Sequence, residues 1–542
     1  MTADMYALAA AWLAEDPDEA TRAELQALID SGNGVELAAR FAGRLEFGTA
    51  GLRGALGTGP MRMNRVVVAQ ASAGLAAYLV AREKSPTVVV GYDARHNSDV
   101  FARDTAELMT AAGVKAHLLP QPLPTPVLAF AIRHLGCSAG VMVTASHNPP
   151  QDNGYKVYLG DGSQIVPPAD ADISAEILAV GPVNELPRSD DYVRLGDEVA
   201  EAYMDAACAL PTGSARDVTV VYTPMHGVGG DTMLEVVRRT GFADLHVVPA
   251  QADPDPDFPT VAFPNPEEPG AMDLALALAD QVGADIIVAN DPDADRCAVG
   301  ARGPHGMRML SGDETGALLA DFLLRRGKTG TYAESIVSSS LLGRQAAAYG
   351  QPYEQTLTGF KWIAKIPTLA FGYEEALGYA VAPEIARDKD GITAILRVLE
   401  LAAELKAGGK TLIDQLDEIA REHGLHVTGQ LAVRVEDLNI IANAMATLRL
   451  NPPTELAGHH VEQIDDFAEG YHGLPPTDGI RLGIEGGNRI IVRPSGTEPK
   501  LKCYIEVVVE VGESIEVARS EGQRSLDSIK KDLSVALGLT AP

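Results

Sequence analysis

Three aspartates at alternate positions, a serine beside a histidine, and an arginine leading into a Pro-Ser-Gly-Thr turn are the reactive groupings of this sequence. In Thr144-Ala145-Ser146-His147-Asn148-Pro149 a hydroxyl stands next to an imidazole, directly after the apolar run Gly140-Val141-Met142-Val143. A nucleophile with a proton acceptor at hand has that composition, although sequence neighbours need not face each other and Ser, Asn and Pro also make ordinary turns. A serine-hydrolase elbow requires Gly-x-Ser-x-Gly, and here Thr144 and Asn148 hold the glycine places. The nucleotide-hydrolase loop GxxxxGK followed by Ser or Thr is also missing from the sequence.

Asn290-Asp291-Pro292-Asp293-Ala294-Asp295-Arg296 follows the apolar run Ile286-Ile287-Val288-Ala289. Hard oxygen ligands without a His or Cys constellation suit Mg²⁺ better than zinc or copper. An EF-hand is excluded, since Arg296 would occupy its sixth position and Arg302 its twelfth. Carboxylates packed together behind a strand repel one another unless a cation joins them, which favours a metal site for Asp291, Asp293 and Asp295. A serine near such a triplet suits phosphoryl chemistry, because a phosphoserine brings about −1.5 to −2 charges and oxygen ligands to complete the metal shell.

Arg493-Pro494-Ser495-Gly496-Thr497-Glu498-Pro499-Lys500 joins a guanidinium to two hydroxyls and a turn of backbone N–H groups. That set can cradle a phosphate. Phe47-Gly48-Thr49-Ala50-Gly51-Leu52-Arg53-Gly54 could bring Arg53 to a phosphate, and serves equally as a tight structural turn. Gly372-Tyr373-Glu374-Glu375-Ala376-Leu377-Gly378 offers carboxylates for sugar hydroxyls or, equally, an exposed acidic helix start. Thr358-Gly359-Phe360-Lys361-Trp362 is open in the same way, with Trp362 assigned to core. In a chain of net charge −30, Arg53, Lys156, Arg296, Lys389 and Arg493 could form the local basic island that an anionic substrate needs.

The strands and helices that carry these residues follow a repeat. Residues 87–113 read strand, loop, helix ending at glycine; residues 218–241 repeat the phrase, and residues 332–350 repeat it more weakly. Each copy is followed by a second strand ending in a polar loop, the loops of Ser146, Asp291 and Glu374. A chain of 542 residues is too long for one core, and the predicted domains are 1–210 with an N-terminal helical lead-in, 211–327, 328–425, and an α+β domain at 426–542. The acidic balance argues against nucleic-acid or anionic-membrane partners. Four scattered cysteines, no long apolar span and no basic signal-like start point to a cytoplasmic protein.

Taken together, the serine loop with Asn153-Gly154-Tyr155-Lys156, the Asp291 loop, Gly372-Tyr373-Glu374-Glu375 and the Arg493 loop resemble the α-D-phosphohexomutase family of phosphoglucomutases and phosphomannomutases. The match runs from residue 47 to residue 499, and the sugar loop is similar to the phosphoglucomutase branch that also contains phosphopentomutases. The resemblance implies an α/β fold of three topologically similar domains with mixed sheets plus a C-terminal α+β domain around a central cleft. It implies Ser146 as phosphoserine, Mg²⁺ on Ser146, Asp291, Asp293 and Asp295, and Arg53 and Arg296 on the transferring phosphoryl group. Lys156, Lys389 and His147 would assist; Thr358, Gly359, Glu374, Arg493, Ser495, Gly496 and Thr497 would bind substrate. The implied reaction interconverts glucose 1-phosphate and glucose 6-phosphate through a sugar 1,6-bisphosphate that also acts as activator, in a monomer or weak homodimer. Phosphopentomutase and phosphomannomutase activities are the alternatives, followed by a sugar-phosphate phosphatase and a non-catalytic sugar-phosphate binder. Two departures stand out: Ala376 and Gly378 occupy places where many members have Ser and some have His.

Overall fold

The computed structural model describes residues 3–46, 51–435, 438–495 and 500–538. The chain divides into two compact units: Met1–Leu310 with Gly359–Gly372 and Ala376–Gly409, and Ser311–Thr358 with Tyr373–Glu375 and Lys410–Pro542. Among the described residues no helix is long and apolar enough to cross a membrane.

The first unit opens with helices Ala3–Glu15, Glu19–Asp30 and Gly34–Phe41, whose second and third members are capped by the side chains of Asp18 and Asn33. Ala9, Leu25 and Leu37 bury together as their small core. A six-stranded sheet follows, built from β1 (Leu52–Ala55), β2 (Thr87–Tyr92), β3 (Lys115–Leu118), β4 (Ala139–Val143), β5 (Asp152–Leu159) and β6 (Val193–Arg194) in the order β1-β5-β4-β2-β3-β6. Every residue of β4 is buried, as its unbroken apolar run requires for a strand covered on both faces. Helix Arg65–Arg82 packs along this sheet, and its cap Asn64 also donates to the carbonyls of Gly57 and Gly59, tying the glycine-rich turn to the helix start.

A five-stranded sheet repeats the plan with β7 (Val220–Thr223), β8 (Leu245–Val247), β9 (Ile286–Ala289), β10 (Ala298–Gly303) and β11 (Gly306–Met309), ordered β11-β10-β9-β7-β8. β2 runs parallel to β3 and β4, and β7 runs parallel to β8 and β9; in each sheet the next strand, β5 or β10, returns antiparallel. The Ser146 loop leaves β4 and the Asp291 loop leaves β9, so the two loops occupy equivalent places. The repeat seen in the sequence is thus a repeat of topology.

The third copy begins in the second unit, where β12 (Thr331–Ser335) pairs parallel with β13 (Tyr353–Thr356) as β2 pairs with β3. β14 (Leu369–Glu374) stands in chain order where β4 and β9 stand and ends on Glu374, and β15 (Gly378–Ala380) follows. The C-terminal sheet is antiparallel: β16 (Leu425–Arg434), β17 (Glu455–Leu456), β18 (His459–Asp466), β19 (Ile480–Ile484), β20 (Asn488–Pro494) and β21 (Lys500–Val509), in the order β16-β21-β20-β19-β18-β17. Ile490, Val492, Cys503 and Ile505 face helices Leu438–Leu450 and Ile515–Ala536, while the alternate residues Ile491 and Tyr504 pack with Ile336 and Val337. The fold is therefore α/β in three successive regions with a C-terminal α+β region, as expected from the sequence.

Candidate active site

Ser146 is 2% exposed and adopts φ +52°, an uncommon conformation for a residue with a side chain. Its hydroxyl donates to Asp291 Oδ2 at 2.7 Å and lies 3.1 Å from His147 Nδ1, while its backbone N–H donates to Thr144 Oγ1 at 2.9 Å. What holds the loop in this shape is Arg95. The buried guanidinium donates to the carbonyls of Ser146 at 2.6 Å, Pro149 at 2.9 Å, Asp152 at 3.2 Å, and Asn148. Asp93, 3.4 Å from Arg95 Nε, balances its charge and also accepts from Ser98 Oγ at 2.7 Å. Arg53, on β1, donates to Asn148 Oδ1 at 2.9 Å. Gly154 on β5 has to be glycine: a Cβ there would come 2.5 Å from the Thr144 carbonyl and 2.8 Å from that of Leu52.

Asp291, Asp293 and Asp295 are all buried, and one oxygen from each falls within 4.8 Å of the others. Lys156, 2% exposed, reaches Asp293 Oδ2 at 2.8 Å and Asp295 Oδ2 at 2.9 Å; Lys389 lies 3.2 Å from the same Asp295 oxygen. Arg296 Nε stands 3.8 Å from Asp291 Oδ2 and 3.9 Å from Asp295 Oδ1. Thr125, at the start of helix Thr125–Leu135, donates its hydroxyl to Asp293 Oδ2 at 2.7 Å and its N–H to the Asp293 carbonyl at 2.9 Å. Burial and the charges of Asp293 and Asp295 push the Asp291 carboxyl well above its ordinary range. For Asp295 burial pushes the same way, but Lys156, Lys389 and Arg296 outweigh it and hold the group below the usual range. Asp293 Oδ1 and Asp295 Oδ1 are buried with no hydrogen-bond partner. Orphaned anionic oxygens beside a repelled Asp291 are what a hard divalent cation satisfies, so the donor set fits Mg²⁺.

Burial, with Arg296 and Arg53 nearby, lowers the His147 pKa well below its ordinary value, so the imidazole beside Ser146 is neutral. Burial works against the Lys156 ammonium, yet Asp293 and Asp295 raise its pKa overall and keep it charged. Lys389 runs across Gly378, where an added Cβ would sit 2.2 Å from Lys389 Cδ. The glycine thus makes room for a cation: a side chain at 378 would displace Lys389 from Asp295. Arg296 donates to the Ala376 carbonyl at 2.9 Å, and Arg296 and Gly378 form an isolated β-bridge. Asp388, 3.6 Å from Lys389, also accepts from Tyr158 Oη and Gln164 Nε2, each at 2.8 Å.

Ser146, His147, Arg53, Lys156, Arg296, Lys389 and the three aspartates thus lie together in the first unit. Gly359 belongs to that unit too, with φ +114° at the start of the short helix Phe360–Ile363. Trp362, assigned to core from the sequence, is half-buried. Thr358, Glu374, Arg493 and Ser495 belong to the second unit and are partly exposed. Ser495 N–H donates to the Lys500 carbonyl at 2.8 Å. Gly496 and Thr497, like Phe47–Ala50 of the glycine-rich turn, lie outside the described residues. Sequence reasoning missed Arg95 and Thr125. The signal for Arg95 was available in Asp93-Ala94-Arg95, a charged pair at the end of β2, whose Tyr92 is in register with Val143 of the serine strand. Thr125 gave none.

Family comparison matches residues 44–182, 201–303 and 311–423 to the α/β/α domains I, II and III of phosphoglucomutase/phosphomannomutase, and residues 452–514 to the C-terminal domain. A probable phosphomannomutase from Haemophilus influenzae is 52% identical over 454 residues, covering 82% of this chain and 93% of that protein. A phosphopentomutase from Mus musculus is 36% identical, covering 93% and 90%; a phosphoglucomutase from Staphylococcus aureus is 34% identical, covering 87% and 91%.

Proposed function

Because the chain belongs to the phosphoglucomutase/phosphomannomutase family, whose members are intramolecular phosphotransferases, we propose that it interconverts glucose 1-phosphate and glucose 6-phosphate through phosphorylated Ser146. The observation that carries this reading is the Ser146 hydroxyl, 2.7 Å from Asp291 within a buried carboxylate triplet ringed by Lys156, Lys389 and Arg296.

In the forward reaction the phosphoryl group on Ser146 Oγ passes to the free 6-hydroxyl of glucose 1-phosphate. The Oγ–P bond breaks, the new O–P bond forms, and the hydroxyl proton goes to a basic group of the site. Glucose 1,6-bisphosphate then presents its other phosphate: the O1–P bond breaks, an Oγ–P bond forms on Ser146, and O1 takes up the proton held by the basic group, leaving glucose 6-phosphate. Ser146, Asp291, Asp293 and Asp295 would hold Mg²⁺, which when bound supplies positive charge to the phosphoryl oxygens. Arg53 and Arg296 add guanidinium charge on the equatorial oxygens, and the neutral His147 can take the serine proton at Nδ1 when Oγ is rephosphorylated. Arg95 keeps the carrier oxygen in place by fixing the Ser146 carbonyl and the backbone that follows it. In this reading Glu374 meets ring hydroxyls, Thr358 and Gly359 assist, and Arg493, Ser495, Gly496 and Thr497 hold the phosphate that is not transferred.

Glucose is placed first because Gly372-Tyr373-Glu374-Glu375 resembles a branch of phosphoglucomutases, one that also contains phosphopentomutases. The phosphopentomutase relative favours ribose 1-phosphate as the second reading, and the Haemophilus relative favours mannose 1-phosphate as the third. A coupled assay with Mg²⁺ and bisphosphate primer decides among them by kcat/KM, expected to be greatest for glucose 1-phosphate. A higher value for either other sugar transfers the assignment to it. Release of inorganic phosphate without need of primer would replace the mutase with a phosphatase.

A further inference from the structure

We propose that the buried Arg489–Glu506 pair and the serine loop it grips are positioning residues that set the spacing between the sugar-reading Glu374 loop and the phosphate-holding Arg493 strand. The inference rests on the sugar-mutase reading above and extends it to how substrate length is discriminated. All the groups involved belong to the second unit.

The path begins at the residue after Glu374. The Glu375 N–H donates to Ser338 Oγ at 3.0 Å, and Glu375 Oε2 accepts from Ser335 Oγ at 3.1 Å and Ser338 Oγ at 3.2 Å. Ser335 closes β12, so these bonds fasten the sugar loop to the turn Ile336–Ser340. That turn is gripped from its other side. Arg489 donates to the Ile336 carbonyl at 3.2 Å and to the Ser338 carbonyl, and its Nε donates to Glu506 Oε2. Glu506 Oε1 accepts from Ser339 Oγ at 2.6 Å and the Ser340 N–H at 2.9 Å, with His426 Nδ1 also 2.9 Å away. Arg489 and Glu506 are directly opposed on β20 and β21. Arg493 lies four residues along β20 from Arg489 and, by the two-residue period of a strand, on the same face. One stiff strand therefore carries the grip on the sugar loop at one end and the phosphate arginine at the other.

A buried ion pair is a poor way to gain stability, since an apolar pair of similar volume often does as well, but it fixes geometry where apolar packing would slide. Here the pair and its neighbours hold a loop that is bonded directly to Glu375, the residue after Glu374. The serine of Glu334-Ser335-Ile336-Val337, left over from the third sequence repeat, acquires a role in this way.

The test compares the full-length wild type with Arg489→Met/Glu506→Met, which removes both charges together, and with Ser338→Ala, a milder change. Three quantities are read: KM and kcat for glucose 1-phosphate with saturating bisphosphate and Mg²⁺, the kcat/KM ratio of glucose 1-phosphate to ribose 1-phosphate, and loss of phosphate from phospho-Ser146 to water without sugar. The expected result is a KM raised about tenfold, a sugar preference narrowed by a similar factor, and hydrolysis within about twofold of wild type. A purely structural role would lower the melting temperature and leave KM and preference in place, and that result overturns the inference. If the double variant does not fold, Ser338→Ala decides by the same readouts. A wild type without mutase turnover would instead refute the functional reading on which the inference stands.

Discussion

At the residue scale, Ser146 and the three aspartates were legible because each set is contiguous in the chain and its chemistry is a matter of residue type. Arg95 and Thr125 were not: Arg95 has its charge partner Asp93 close by in the chain, but the loop carbonyls it holds are 51 or more positions away, Thr125 is 168 positions from Asp293, and only folding brings them together. Arg95 carries the clearest consequence. Lysine keeps the positive charge but cannot direct a planar fork at several carbonyls. Arg95→Lys should therefore lower stability by roughly 2–4 kcal/mol through unsatisfied buried groups, and lower kcat about a hundredfold through misplacement of the serine oxygen. Thermal unfolding and steady-state kinetics on the same preparation check both. Loss of stability with unchanged kcat would mean that the loop keeps its shape without the guanidinium. Gly378 shows the reverse case: the departure from the family pattern was visible in the sequence, but its reason, the passage of Lys389 over the glycine, required the fold.

At the scale of elements, apolar runs ending in polar loops were sufficient to identify β2, β4, β7 and β9 and to place the chemical loops after the second strand of each repeat. Their order in the sheets and the antiparallel return strands β5 and β10 were beyond the pattern, since pairing depends on contacts distant in sequence. β12 contains an element-scale feature that the sequence did not reveal. Glu334 faces β13, accepting from Tyr353 Oη at 2.6 Å and Gln355 Nε2 at 3.1 Å, with Arg489 and Glu506 beyond it. Burial raises its pKa to about 8, against the opposing effect of Arg489. A carboxyl raised in the folded state binds more protons there than in the unfolded chain, so its contribution is complete below the unfolded value and disappears as pH rises through about 8. Wild type should lose several kcal/mol, on the order of 3–5, between pH 5 and pH 9 from this group, and Glu334→Gln should be free of that loss. Melting curves of the two proteins that stay parallel across this range would contradict it.

At the scale of the whole molecule, a chain of net charge −30 concentrates Arg53, Arg95, Lys156, Arg296 and Lys389 around three buried aspartates. Of the cations expected to form a basic island, Arg53, Lys156, Arg296 and Lys389 lie in the first unit, where Arg95 joins them, and Arg493 belongs to the second. A cation that binds only the folded state must also stabilise the whole protein by mass action, about 2.7 kcal/mol at a hundredfold excess over Kd. Mg²⁺ should therefore raise the melting temperature of wild type, and Asp293→Asn should abolish most of that rise, because the amide oxygen is claimed by Thr125 and Lys156 and an uncharged NH2 takes the place of the orphaned Oδ1. An equal rise in both would place the metal elsewhere.

The central claim, that Ser146 carries the phosphoryl group, is tested most directly by incubating the protein with glucose 1,6-bisphosphate and Mg²⁺ and mapping the phosphate by mass spectrometry, in wild type and in Ser146→Ala. The expected result is a single phosphoryl group on Ser146, removed by added glucose 1-phosphate or glucose 6-phosphate, and neither label nor turnover in the alanine variant. Phosphate on another residue, or full turnover by Ser146→Ala, would contradict it.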